Sequence, residues 1–469
     1  MTHGPIYLTA DIRRIEQAAA NAAPPLMERA GAAAAELAAK LAAEKSKDIL
    51  VLAGPGNNGG DARIAAELLA KKFFRVTLVN RPEELPEGKN WALVIDGLFG
   101  IGLARPIEGD YLKLVEYANA QRCPVLALDV PSGIQSDTGR VLGAAVRATH
   151  TITFIALKPG LLTLDGPDHG GELVVADLDL DVRALLPPTA WVAAPGLFKA
   201  ALKPRPRNFH KGMAGSLGVL GGAAGMTGAA LLAGRAALKL GAGRVYVGLL
   251  EEHSLKADMA APELMLRHAG DVLGLDLDAV LAGPGLGRSE HAATLVGAAL
   301  ASDMPCVLDA DALNLIAGDE DLADACERRT AETLLTPHPA EAARLLGSSV
   351  AEIQADRLAA AQRLSQTYNA HVALKGNGSV LAARDGHWFI NTSGNPGMAS
   401  AGMGDVLSGF VGALLAQRYT GETAMALGVH LHGAAADALV RAGAGPVGLT
   451  ASELIEPARR LWNGWLSNG

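Results

Sequence analysis

Asp405 is the only charge among twenty residues, in the run "NTSGNPGMASAGMGDVLSGF" from Asn391 to Phe410. It follows Gly402 and Gly404 and precedes the apolar, helix-like run "VLSGFVGALLA". Backbone N–H groups at such a glycine-rich helix start can close on an anion and steady a transferring phosphoryl group. A carboxylate beside them can accept the proton of an attacking hydroxyl. An aspartate that merely caps a helix does not need the flanking glycines. The run therefore points to phosphate and proton transfer.

Upstream, "LKGNGSVL" reads as a strand, a glycine turn and a strand. It places Lys375 either toward a nucleotide phosphate or on the surface. His338 is held between Pro337 and Pro339 at a strand end; taken alone, it is more often a hydrogen-bonded structural histidine than a catalyst. Gly283, Gly285 and Gly287 form a further turn. Asp309 and Asp311 in "VLDADALNLI" could position metal or water, or simply cap.

The first half carries its own set. "AGPGNNGGD", Ala53 to Asp61, lies between a strand and a helix, where a loop can admit a phosphate or make a tight turn capped by Asn57 and Asn58. "VIDGLFGIGLARP" leaves Asp96 at a strand end, and "ALDVPSG" does the same for Asp129 and Ser132. Polar groups at the C-terminal ends of adjacent parallel strands converge on one crevice. Their carboxylate, amide and hydroxyl oxygens suit a hard monovalent cation.

The elements that must hold these groups follow from patterning. Helical periodicity puts Leu26, Ala30, Ala34, Leu37 and Leu41 on one stripe, Thr9 is an expected N-cap, and Pro24–Pro25 should break the N-terminal stretch into two helices. From Asp48 on, apolar strands alternate with helices to about Leu180, as in a parallel sheet covered on both faces. A proline-rich stretch, Arg183 to Asn208, reads as a linker, after which the α/β rhythm restarts. Two domains are expected, residues 1–200 and 201–469.

At 469 residues the chain exceeds one ordinary domain. It is 49% hydrophobic, 19% charged and 4% aromatic, with 55 glycines, which suits small-residue helices between strands and excludes a disordered chain. The net charge, 41 − 49 = −8, gives no general pull toward nucleic acid or an anionic membrane. Three cysteines without close spacing imply neither a disulfide framework nor zinc and fit a reducing cytoplasm. The N-terminus lacks the apolar core of a signal peptide. Between Lys211 and Arg235 lie 23 uncharged residues, long enough to cross a bilayer, but eight are glycine, so a strand, loop and helix is expected.

In these motifs, along almost its whole length, the chain resembles the bifunctional NAD(P)H-hydrate repair enzymes. "LMERAG", "GPGNNGGD", "DGLFGIGLARP" and "LDVPSG" are similar to the epimerase half. "HKGMAGSLGVLGG", "GPGLG", "LDADALN", "TPHPAE", "LKGNGSV" and the Asp405 run are similar to the dehydratase half. The resemblance implies a Rossmann-like three-layer αβα domain followed by a ribokinase-like α/β domain. It implies epimerisation of R and S NADHX and NADPHX, and dehydration of the S form with ADP and Mg2+, giving AMP and phosphate through a phosphorylated hydrate.

By motif, it assigns Lys375, Gly376, Asn377, Gly378, Ser379 and Gly404 to the nucleotide, and Ala229, Gly287, His338 and Asp405 to the hydrate. In the first half Asn57, Asn58, Gly59, Gly60, Asp61, Gly100, Ile101, Gly102, Leu103, Ala104, Arg105, Pro106 and Asp129 would bind the hydrate. Asn58, Asp96 and Ser132 would hold K+. Asp129 is the expected epimerase acid/base and Asp405 the dehydratase base. Ala62, Ile101 and Ser379 depart from the glycine, threonine and threonine usual in the family; the first two could tighten the epimerase pocket.

Two other readings stand beside this one. A small-molecule kinase would leave a stable phosphoester of a vitamin-precursor alcohol. A non-catalytic first half would serve as a scaffold, against which the joint presence of Asp61, Asp96 and Asp129 argues. The alanine-rich N-terminal helices are open to two uses, an interface in a homo-oligomer or ordinary packing.

Overall fold

The computed structural model describes residues 4–42, 47–86, 88–202, 204–251 and 255–467. The chain divides into two compact units, Met1–Val192 and Ala193–Gly469. The division falls within the proline-rich stretch, which itself carries short helical turns and a strand.

In the first unit the helices Thr9–Ala18 and Leu26–Ala42 are separated at the two prolines. Leu8, not Thr9, occupies the cap position. The Thr9 amide and hydroxyl both turn instead to Asp137 Oδ1, at 2.8 and 2.9 Å, so a longer-range carboxylate outcompetes the local cap. Strands β1 (Asp48–Ala53), β2 (Arg75–Val79), β3 (Leu93–Gly97), β4 (Val125–Leu128), β5 (His150–Phe154) and β6 (Glu172–Ala176) form one sheet in the order β2-β1-β3-β4-β5-β6. Every pairing is parallel.

Ile49, Val51 and Ala53 face one core together with Ala30, Ala34 and Leu69, whereas Leu50 and Leu52 face another with Leu114 and Val115. Alternate residues of one strand thus enter opposite cores, which makes three αβα layers. The sheet order reverses between β1 and β3, opening a crevice beyond their C-terminal ends. A short strand, β7 (Ala190–Val192), closes the unit, with Trp191 bridging Pro5.

The second unit holds β8 (Ser216–Gly221), β9 (Arg244–Leu249), β10 (Met265–His268), β11 (Ala279–Ala282), β12 (Cys306–Leu308), β13 (Thr333–Leu335), β14 (His371–Leu374), β15 (Ser379–Ala382) and β16 (Trp388–Asn391). They run β10-β9-β8-β11-β12-β13-β14-β15-β16. β8 to β14 are parallel, and β15 and β16 turn back antiparallel. The long uncharged span resolves into β8, a glycine loop and the helix Thr227–Lys239, as its glycines predict. β10 is an edge strand whose mixed sequence gave no strand signal. Among the described residues no helix is long and apolar enough to cross a membrane.

The helix Met403–Ala416 is apolar nearly all round and almost wholly buried, as a core helix must be. It packs closely on Thr227–Lys239 because Gly409 has no side chain: a Cβ there would lie 2.3 Å from the Ala233 carbonyl oxygen.

Candidate active sites

In the first unit the loop after β1 is built for close approach. A Cβ on Gly54 would sit 1.8 Å from the Leu98 oxygen, and one on Gly59 1.9 Å from the Gly54 oxygen. Gly56 caps the helix Asn57–Lys71, so Asn57 and Asn58 lie in its first turn and neither is the cap. The Asn58 amide is instead turned inward, and both Oδ1 and Nδ2 are buried without a partner. Ala62 is buried and packs against Gly97, where any Cβ would meet the Ala62 methyl at 2.4 Å.

Asp96, at the end of β3, is fully buried. Its oxygens accept from the Ser132 hydroxyl at 2.6 Å, the Ser132 amide at 2.8 Å and the Leu98 amide at 3.2 Å. Burial pushes its pKa up to about 6 against the pull of these donors. Asp129 follows β4 with φ +65°, a left-handed conformation that a non-glycine residue holds only under tertiary constraint. The constraint is visible: the fully buried Lys158 ammonium donates to Asp129 Oδ1 at 2.5 Å, to Thr153 Oγ1 at 2.8 Å and to the Phe154 carbonyl at 2.7 Å.

Gly100 faces Asp129 and Asn58, its notional Cβ lying 3.1 Å from Asp129 Oδ2 and 3.3 Å from Asn58 Cγ. Asp61 completes the group. Burial first, then Asp129 and Glu16, push its carboxyl up to about 8. Ile101, Gly102, Leu103 and Ala104 line a cavity of about 400 Å3 opposite Gln135 and Arg140. Arg105 and Pro106 are exposed and lie outside that lining.

Lys158 and Glu16 are the residues sequence reasoning missed here. Lys158 carried a signal, since "ALKPG" follows a parallel strand as the other site loops do. Glu16 carried none, because its helix lies outside the sheet. Its pKa is raised, first by burial and then by Asp129.

In the second unit, the segment after β12 ties two groups together. Asp309, 1% exposed, accepts from Lys375 Nζ at 2.9 Å, and Asp311 Oδ2 accepts from the Gly287 amide at 2.9 Å. The residue between them, Ala310, sits at φ +47°. Lys375 is thus neither free nor a surface lysine. Burial pulls its pKa down, but Asp309 and Glu341 more than offset this and hold it above the ordinary value. Gly404 abuts the pair, its notional Cβ lying 3.4 Å from Lys375 Nζ.

Gly402 takes the left-handed cap at φ +86°, and Asp405 lies in the first turn, not at the cap. Burial, then the charge of Asp309, raises the Asp405 carboxyl to about 6 while Lys375 opposes the shift. Ala229 meets the glycine turn after β11, 3.1 Å from a notional Cβ on Gly285. Ser379 Oγ closes the turn Lys375–Ser379, accepting from the Gly376 amide at 3.2 Å and donating to the Gly376 carbonyl at 3.1 Å.

His338 is a helix cap: its Nδ1 accepts from the Ala340 amide at 3.1 Å, and its own amide donates to Glu341 Oε2 at 2.8 Å. Burial and Lys375 lower its pKa, and burial raises that of Glu341 to about 7. Glu341, Arg357 and His432 were not anticipated. Burial holds His432 neutral, near 3.

Two α/β units, each with titratable groups gathered at the C-terminal ends of parallel strands, define an enzyme with two sites. Residues 217–459 match the family described as NAD(P)H-hydrate dehydratase, and residues 24–93 and 80–160 match that described as YjeF-related protein N-terminus. The bifunctional NAD(P)H-hydrate repair enzyme Nnr of Escherichia coli strain K12 is 39% identical over 500 residues, covering 98% of this chain and 94% of that one. Its counterpart in Coxiella burnetii is 39% identical over 495 residues, covering 98% and 99%. The crystal structure of the ADP/ATP-dependent NAD(P)H-hydrate dehydratase from Bacillus subtilis, obtained with ATP and Mg2+, is 29% identical with a TM-score of 0.51, covering 58% of this chain and 98% of that one. A ribokinase-like superfamily protein from Enterococcus faecalis is 25% identical with the same TM-score, covering 59% and 96%, so the second unit has that fold. The chain belongs to the bifunctional NAD(P)H-hydrate repair enzymes.

Proposed function

We propose that this chain repairs NADH and NADPH hydrated at C6 of the nicotinamide ring. The first domain, residues 1–200, interconverts the R and S hydrates. The second, residues 201–469, dehydrates the S form at the expense of ADP. The observation that carries this reading is the Asp405 carboxyl, half-buried in the first turn of a helix and drawn together with Lys375 and Asp309.

Hydroxide leaves a ring carbon poorly, and phosphate leaves well. Asp405 takes the proton of the C6 hydroxyl as its oxygen bonds to the terminal phosphorus of ADP and the bond to the bridging oxygen breaks, releasing AMP. Gly404 and the neighbouring N–H groups steady the phosphoryl. The ring nitrogen's lone pair then expels phosphate and a C5 proton is lost, which restores the C5–C6 double bond. Lys375 exchanges Asp309 for a nucleotide phosphate, and the Gly376, Asn377, Gly378 and Ser379 turn holds the nucleotide. Ala229, Gly287 and His338 contact the hydrate. Mg2+ bound with ADP neutralises phosphate charge, and the carboxylate oxygens of Asp309 and Asp311 are the hard donors that would hold it.

In the first domain Asp129, ion-paired to Lys158, accepts a proton, and Asp61, held near 8, carries one. The ion pair to Lys158 makes Asp129 the base of this pair and leaves the protonated Asp61 as the acid. Asn57 to Asp61 and Gly100 to Pro106 form the walls. Asn58 with its orphaned amide oxygen, Asp96 and Ser132 form an all-oxygen set that would hold K+. Burial raises the thiols of Cys306 and Cys326 to about 11 and 12, and these unreactive, unpaired cysteines fit a reducing cytoplasm.

The test is to incubate the purified protein with S-NADHX and ADP while following NADH absorbance. NADH and AMP should form in equal amounts. A stable phosphoester of another alcohol, with no NADH, would establish the small-molecule kinase instead.

A further inference from the structure

Beneath the turn Lys375–Ser379 lies a cation without a counter-ion. Arg357 opens the helix Arg357–Thr367 and is 2% exposed. Its Nη2 donates to the Leu374 carbonyl at 3.2 Å, and its Nε is buried with no partner. The adjacent acid, Asp356, is engaged in capping, accepting from the Ala359 amide at 2.9 Å. No described carboxylate pairs with the guanidinium; burial alone lowers its pKa, to about 10, and it stays charged at neutral pH. A buried charge left unpaired is costly, and a cation with no other task at this position is better replaced by an apolar side chain.

The guanidinium lies flat against Gly376. A Cβ there would fall 2.3 Å from Nη1 and 2.6 Å from Nη2, and Gly376 has φ +152°. Residue 376 is therefore glycine for two reasons, its backbone conformation and the cation beneath it. Lys375 is neutralised by Asp309 in the free protein, whereas Arg357 is not. The guanidinium charge therefore stands against the Gly376 turn with no carboxylate paired to it.

We infer that Arg357 is a positioning residue whose uncompensated charge, acting through the Gly376 turn, sets the affinity of the second unit for the diphosphate of its nucleotide. The inference rests on the reading of Lys375–Ser379 as the nucleotide turn. It requires that the contribution grow with phosphate charge and that the residue burden the ligand-free protein.

The experiment uses the full chain with Arg357→Met, Arg357→Gln and Arg357→Lys. Dissociation constants for adenosine, AMP and ADP are measured by competition against a fluorescent adenine nucleotide, and thermal unfolding is followed without ligand. Removing the charge should weaken ADP about tenfold at the effective dielectric of a protein interior, AMP less, and adenosine less than about twofold. Arg357→Lys should keep most of the affinity. The ligand-free melting temperature of Arg357→Met should equal or exceed that of the parent. Arg357→Gln serves as the second neutral replacement should Arg357→Met not fold. ADP binding within about twofold of the parent in the neutral variant overturns the inference. So does an equal loss for adenosine and ADP, which would mark a change in the shape of the turn. Failure of the parent itself to bind ADP overturns the nucleotide reading and takes this inference with it.

Discussion

Burial sets the protonation of the acids at both sites, and its sign can be followed residue by residue. Asp405 has a pKa near 6 in the folded chain, with the charges of Asp309 and Asp311 adding to the cost of burial. A protonated carboxyl cannot accept the hydroxyl proton, so kcat/KM for dehydration should fall about tenfold per pH unit below 6 and level off above it. Asp405→Asn should lower the rate by roughly a thousandfold or more and remove that limb of the profile, which initial rates between pH 5 and 8 will show.

Asp61 lies higher, near 8, against about 3.9 in an unfolded chain. Between those values folding takes up a proton. The stability this carboxyl permits is complete below about pH 4 and is lost as the pH rises to 8. Asp61→Asn should abolish epimerisation and stabilise the first unit at pH 8 by about 5 kcal/mol at most, with little gain at pH 4. Unfolding curves at the two pH values check this, and an equal gain at both would refute the burial argument.

Whole elements, and not single side chains, bring the groups to their places. The helices Thr227–Lys239 and Met403–Ala416 bear Ala229 and Asp405 and meet where Gly409 lies against the Ala233 carbonyl. Backbones this close admit no methyl group, so overpacking must move one helix relative to the other. Gly409→Ala should cost about 1–3 kcal/mol and lower dehydration while leaving epimerisation unchanged. Paired unfolding and rate measurements on that variant will test it, and unchanged kinetics with lowered stability would show that the helix start tolerates the shift. The segment after β12 is the other positioning device. Ala310 at φ +47° is the bend that sends Asp309 to Lys375 and Asp311 to Gly287.

At the scale of the whole molecule, each unit has its own sheet and its own set of titratable groups. If each site works independently, Asp405→Asn and Asp129→Asn inactivate different steps, and the S hydrate passes between them through solution. Neither variant alone should convert pure R-NADHX to NADH with ADP, apart from spontaneous epimerisation. An equimolar mixture should restore conversion to about the rate of the parent at the same site concentration, as NADH absorbance will report. A mixture no faster than the separate variants would mean that the two sites act only within one chain.

The sequence by itself determined the two α/β units, the glycine loops and the residues at strand ends, because these depend on local periodicity and on where a parallel strand stops. Asp96, Asp129, Lys375 and Asp405 were all legible as strand-end or helix-start residues. Their partners were not: Lys158 under Asp129, Glu16 beside Asp61, Asp309 on Lys375 and Arg357 beneath Gly376. Local pattern says which groups reach a crevice. Only packing decides which are buried, which are paired and which are left charged without a partner, since each of those costs is set by residues distant in the chain.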